Sequence, residues 1–371
     1  MQVSSRCLAA DAITSIAYPR IGVSTTIDLN ARGSLLKSST GTMTQTHFEQ
    51  RLSYDELGRI GAQWASLGTE RAQFNYNYDG VDRLIHEQYW NPTLPNPINE
   101  WRGFQYDRVG NRITSSLGGT TVAPSNQTYT YPPASNRLLQ FTEGAPLAPP
   151  TRVHTLAYDP DGALQTRTRN DLTDGMEVQR IETFAYDAFE LIHRYTVRRD
   201  VAAPGAGLGC AADAAQQPMD DWRYRFGPLQ EREQKRQYAT AGNAATDGLA
   251  WTYTLLGADA KQLATYNGVQ GAFCGQPAGT VWMWPVEHNA WGPAGTRIIM
   301  RPTGAREYVV HDHLGSARLT YDNAGGVVER RSYRAFGVET QSDGEGARTS
   351  YIGREKDNES DLGFGACPEA L

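Results

Sequence analysis

The chain has 371 residues, 39 % of them hydrophobic, which is enough for one large domain or two to three ordinary ones. Its 35 Lys and Arg stand against 41 Asp and Glu, a net charge of −6, and the basic footprint of a nucleic-acid binder is excluded. No apolar run approaches the ~18 residues of a membrane helix, Gly and Pro stay near ordinary usage, and 19 Tyr point to β-structure rather than helical bundles.

At the N-terminus, MQVSSRCLAADAITSIAYPR has no continuous apolar core, so no secretory signal is visible. Residues 1–45 read as degenerate repeat strands, with an incomplete turn copy at Asp28. From 46 to 200 a repeat is plain. YDELGRI at Tyr54 returns as YDGVDRL at Tyr78, YDRVGNRI at Tyr106, YPPASNRL at Tyr131, YDPDGAL at Tyr158 and YDAFEL at Tyr186. The second positions (55, 79, 107, 132, 159, 187) are 24 to 28 residues apart.

Asp at position i with Gly at i+3 suits a type I turn, the carboxylate bonding the backbone two residues on. In hairpins a left-handed residue often closes such a turn, and Gly takes that conformation without steric cost. Apolar residues alternate before each turn (Phe74, Tyr76, Tyr78; Leu156, Tyr158; Phe184, Tyr186), as in a hairpin with one buried face. The repeat tyrosines are therefore expected on one face, largely buried. Asp82 and Glu190 stand in the Gly slot, so those turns either change conformation or accept strain. Such hairpins stack into one sheet.

Residues 201–300 lose the rhythm and read as divergent hairpins with inserted loops. PGAGLGCAADAAQQP from Pro204 is one such loop, while segments from Trp222, Trp251 and Thr280 alternate as strands do. Cys210 and Cys274, each in an inserted loop, are a candidate disulfide pair; sequence alone does not give pairing. No polar linker marks a domain boundary, so one continuous architecture is expected.

These motifs resemble the YD repeat, also called the RHS repeat, with its pattern Tyr-Asp-x-x-Gly-Arg. Residues 301–366 extend the likeness: YVVHDHLGSARLTYDNAGGVVERRSYRAFGV from Tyr308 resembles the opening of the RHS-associated core. YIGREKDNESDLGFGA from Tyr351 resembles its next segment. The resemblance covers roughly two-thirds of the chain. It implies an all-β fold of stacked antiparallel hairpins in an open, curved or spiralling sheet, a partial shell of the kind that holds a C-terminal toxin. Where the family continues Arg-Tyr-Tyr-Asp-Pro and a self-cleavage segment, this chain has a tail outside the pattern, residues 367–371. Self-cleavage is accordingly not expected of it. At about 26 residues per repeat the chain holds some 20–26 strands, and unpaired sheet edges are expected to favour association.

Catalytic motifs (G-x-S-x-G, H-E-x-x-H, a P-loop, a dinucleotide fingerprint) do not occur. His311 and His313 would share a strand face as a metal pair. However, Asp312 between them begins a turn, and packing is the favoured reading. Asp159-Pro160-Asp161-Gly162 opens like a calcium loop, but its twelfth position is Asn170 instead of Glu. Neither catalytic, cofactor-binding nor metal residues are assigned, and no cofactor or enzyme activity is expected. The resemblance implies a shell piece of a toxin-delivery protein, secreted or cell-surface as part of a longer polypeptide. Its partners would be a cargo domain in cis and a secretion apparatus or spike protein. Aromatic faces also suit a carbohydrate-binding or adhesion protein, the competing reading.

Overall fold

A computed structural model describes residues 4–7, 13–93, 97–172, 178–202, 220–228, 230–238, 250–257, 261–271, 277, 279–292, 295–334, 337, 339–344, 356–357 and 362–363. Cys210 and Cys274 lie outside the described residues. The fold is all-β, as expected: no α-helix occurs among the described residues, and 26 strands belong to one sheet that does not close on itself. Successive strands pair antiparallel with their chain neighbours, as in Thr46–Tyr54 with Ile60–Leu67 and Ile60–Leu67 with Glu70–Tyr78.

Every full repeat copy builds the same hairpin tip. At Asp55 the backbone N–H bonds the Arg59 carbonyl (2.9 Å), and the Gly58 N–H returns to the Asp55 carbonyl (3.0 Å). The Asp55 carboxylate accepts from the Leu57 and Arg59 backbone N–H groups at 3.0 and 2.9 Å, so it holds the turn from inside. Gly58 closes it at φ +84°, and the register slips by one residue between Ser53 and Tyr54. This is a type I turn with a left-handed closing residue and a bulge. The same bonds recur at Asp79, Asp107, Asp187, Asp312 and Asp322.

Asp82 and Glu190 keep the turn and accept the strain, at φ 68° and 61°. At Pro132 the left-handed residue moves one place earlier, to Ala134 at φ 62°. The N-terminal copy begins at Asn30, two residues after the expected Asp28: the Asn30 side chain accepts from the Arg32 and Ser34 N–H groups, and Gly33 closes at φ +79°. The repeat also runs through the divergent region, where Gly227 opens a tip closed by Gln230, and at Arg301, closed by Gly304.

The repeat tyrosines are half-buried, not buried. Tyr54, Tyr78, Tyr131, Tyr158 and Tyr186 donate their hydroxyls to the carbonyls of Leu35, Ile60, Arg112, Leu138 and Leu164 in the preceding hairpin, at 2.7–3.1 Å. A phenol that must reach a carbonyl at the sheet's margin cannot also sit in the core. The buried place falls two residues earlier in most copies: Leu52, Phe104, Tyr129, Leu156, Phe184 and Tyr224.

The chain divides into two compact units. The first comprises 1–102, 119–121 and 287–371; the second comprises 103–118 and 122–286. In the first, the N-terminal strands are covered by strands far along the chain. Ile16, Tyr18, Ile21, Val23, Phe48 and Leu67 form one core with Ile298, Tyr308, Val310, Leu319 and Tyr321. His47 Nδ1 lies 3.0 Å from the Tyr321 hydroxyl, and the Tyr18 and Tyr308 rings meet edge to face. In the second unit, Tyr129, Phe141 and Leu156 form a cluster, with His154 stacked on Phe141 at 4.0 Å between ring centres.

Two measurements test the tip device. Tyr186→Phe removes one hydroxyl–carbonyl bond and should cost about 1 kcal/mol in urea unfolding. In contrast, Glu190→Gly in the same hairpin should gain about 1 kcal/mol by relieving the left-handed glutamate; a loss there would contradict the strain assignment. The second concerns pH. The Arg83 backbone N–H, against some desolvation, holds Asp79 below its ordinary value, with help from the Arg83 guanidinium and the Val81 N–H. Asp55 and Asp107 are lowered too: desolvation, the largest single cause, pushes them up and is outweighed by their combined turn bonds. Folded values below unfolded ones mean stability that is complete above about pH 4 and lost as pH falls through the folded values. Asp79→Asn should therefore flatten the acid limb of an unfolding-midpoint profile.

Candidate functional site

Strands Thr46–Tyr54, Ile60–Leu67, Glu70–Tyr78 and Leu84–Asn91 set the geometry of the first unit through their register. Leu52, Gln63, Phe74 and Tyr89 form one cross-strand row, and all are buried. Beside it runs the row Gln50, Ala65 and Ala72. Two small side chains facing each other leave a hollow between the large ones flanking them. It measures about 170 Å³ and is bounded by Phe48, Leu67, Phe74, Tyr89 and, from the far strands, Arg318 and Ser332.

Arg318 is 3 % exposed, and its guanidinium carbon lies 5.4 Å from the Phe48 ring centre and 5.5 Å from that of Tyr333. Desolvation pushes its pKa down, countered by the charge of Asp312. Asp312 Oδ2 is 3.8 Å from Arg318 Nε, beyond hydrogen-bond reach, and Nε has no hydrogen-bond partner.

Two buried ion networks lie elsewhere in the same unit. Arg297 and Glu287, both 0 % exposed, pair at 2.9 Å, and Asn289 accepts from Arg297 Nε at 2.7 Å. Arg301 then bridges Glu287 and Glu307 at 3.1 and 2.7 Å. In the second network Arg334 donates to Glu100, which also accepts from Thr121, and lies 4.5 Å from the Tyr89 ring centre. The second network has no local sequence signature, because Glu100 and Arg334 meet only in the fold. Their charges satisfy one another, so they read as structure.

The opposite face carries the row Lys37, Arg51, Trp64, Gln73, Trp90. Trp64 and Trp90 are exposed, as is Trp101, which stacks on His86. Gln88 donates to Asn99 at 3.2 Å between them. Three exposed indoles thus share one face of the sheet, with amides alongside. The alternation of the sequence leaves open which aromatics face outward; the register assigns Trp64 and Trp90 to the side away from Phe74.

His311 and His313 do not come together as a metal site. The strand ends at His311, and His313 sits in the turn with Nδ1 3.2 Å from Gln50 Oε1. Burial, together with the Arg297 charge, lowers the His311 pKa to about 4. Among the described residues no group of three or more His, Cys, Asp or Glu could hold a metal ion. The Asp159 carboxylate is used by its own turn, accepting from the Gly162 and Ala163 N–H groups at 2.8 Å each.

No family model matches the chain, and no curated protein matches it. Among solved structures it is similar to TcdB2-TccC3-Cdc42, at 14 % identity and TM-score 0.34 over 92 % of this chain and 19 % of that one. It is also similar to the Tc holotoxin pore of Photorhabdus luminescens (14 %, 0.30, 90 % and 19 %) and to a porin-like protein from Bacteroides uniformis (12 %, 0.31, 64 % and 92 %). The chain spans about a fifth of the length of the Tc structures.

The Glu287–Arg297 pair gives a sharp stability test. Arg297→Met leaves a carboxylate without its fully buried partner and should cost about 3–5 kcal/mol. Adding Glu287→Leu should restore part of that loss in the same thermal or urea assay. A double variant as unstable as the sum of the two single ones would show that the pair is not coupled.

Proposed function

We propose that this chain is a non-catalytic β-shell piece of a bacterial RHS/YD-repeat toxin-delivery protein, enclosing or presenting a C-terminal cargo. The observation that carries this reading is the hairpin tip repeated from Asn30 to Asp322, where each copy that opens on Asp or Asn spends that side chain on its own turn. Residues that complete their own backbone build a wall by repetition, and they are not available to do chemistry on a substrate. The motifs from Tyr308 to Val338, which resemble the opening of the RHS-associated core, support the same reading. The partners are then a cargo domain in cis and a secretion apparatus or spike protein, with the whole exported as part of a longer polypeptide.

The exposed indoles of Trp64, Trp90 and Trp101 favour a second reading, a cell-surface YD-repeat protein that binds carbohydrate. One experiment separates the two. A small protease-sensitive domain is fused after Leu371, and its digestion is compared with that of the same domain added in trans. A severalfold longer lifetime in cis is expected for the shell. Equal lifetimes, with a glycan-array signal that Trp64→Ala/Trp90→Ala abolishes, would replace it with the binding module.

A further inference from the structure

The hollow over Ala65 and Ala72 joins two features that seldom meet. One is a space of about 170 Å³ with Phe48, Phe74 and Tyr89 among its walls and Glu70, Asn91 and Ser332 among its polar lining; the other is a buried guanidinium, Arg318, beside it. Cavities of about 150 Å³ with aliphatic and aromatic linings accept benzene. A buried polar group without a hydrogen bond carries a desolvation cost that a ligand acceptor can remove. Arg318 Nε is buried without a hydrogen-bond partner; its nearest counter-charge, Asp312 at 3.8 Å, already accepts the Leu314 and Ser316 N–H groups through its other oxygen.

We propose that this hollow binds a small monocarboxylate of about benzoate size, its carboxylate on the Arg318 guanidinium and its apolar body among Phe48, Phe74 and Tyr89. A guanidinium presents a planar fork that matches a carboxylate in two-point contact. Asn91 and Ser332 on the wall add neutral hydrogen-bonding groups. Glu70 also lines the hollow, so a second negative charge on the ligand would be repelled; the site selects monoacids over diacids. The carboxylate is supplied by a free acid or by the C-terminal residue of a polypeptide, and the site chemistry is the same for both. This inference does not depend on the shell reading.

The test is calorimetric titration of the full chain at pH 7 with benzoate, benzamide and terephthalate. Benzoate should bind saturably at one site per chain, with benzamide and terephthalate about tenfold weaker or worse. Arg318→Met should lose benzoate by a similar factor. Ala72→Leu, which fills the hollow and leaves Arg318 in place, should also abolish binding with the β-sheet circular dichroism unchanged, and it keeps the test decisive if Arg318→Met does not fold. Competition by N-acetyl-phenylalanine would assign the polypeptide source, and its failure to compete the free acid. Absence of saturable benzoate binding to the folded wild type overturns the proposal. So does benzamide binding as tightly as benzoate, or unchanged binding to Ala72→Leu.

Discussion

A stack of hairpins holds together only if every turn ends its strand at the same place, because a slip of one residue turns each buried side chain outward. In the hairpins that open on Asp or Asn, that constraint falls on one side chain. The carboxylate of Asp55 or Asp79 takes two backbone N–H groups of its own loop, and the residue closing the turn goes left-handed. The residue after it then reaches back: Arg59 Nε meets Asp55 at 2.7 Å, while its Nη1 meets Asp82 of the next tip at 2.6 Å. Asn111 does the same with Asp107 and Asn136. Turn geometry thus fixes register, register fixes the rows of Leu52 and Trp64, and the rows fix which face is core.

How much of this was legible follows from how local each feature is. Asp-x-x-Gly is a four-residue signal, and the tips at Asp55, Asp107 and Asp159 stand where it occurs. At Asn30 and Gly227 the same tip forms on weaker letters, because neighbouring hairpins impose the register even where the loop itself is indifferent. The role of the repeat tyrosine was only half readable. Alternation assigns Tyr186 to a face, but its hydroxyl bond to Leu164 lies across a strand pair and pulls the ring toward the margin. The hollow beside Arg318 was not readable at all, since it needs Ala65 opposite Ala72 and a guanidinium from some 250 residues further on.

The buried charges of this region are paired between neighbouring strands. Replacing a buried ion network by apolar groups is often neutral or stabilising, so stability alone does not account for Glu287, Arg297, Arg301 and Glu307. A sheet of near-identical hairpins offers many almost equivalent pairings, and a mispaired strand in this region would leave Arg297 or Glu287 dehydrated and alone.

The core that joins Ile16, Tyr18 and Val23 to Tyr308, Leu319 and Tyr321 imposes a schedule on synthesis. Most contacts in the sheet are between adjacent hairpins and can form as each pair leaves the ribosome. This one must wait for almost 300 further residues, roughly a quarter-minute to a minute at ordinary elongation rates. Until then the apolar side chains of the first strands have no partner, and that interval, which no finished structure displays, is when they are exposed to mispairing.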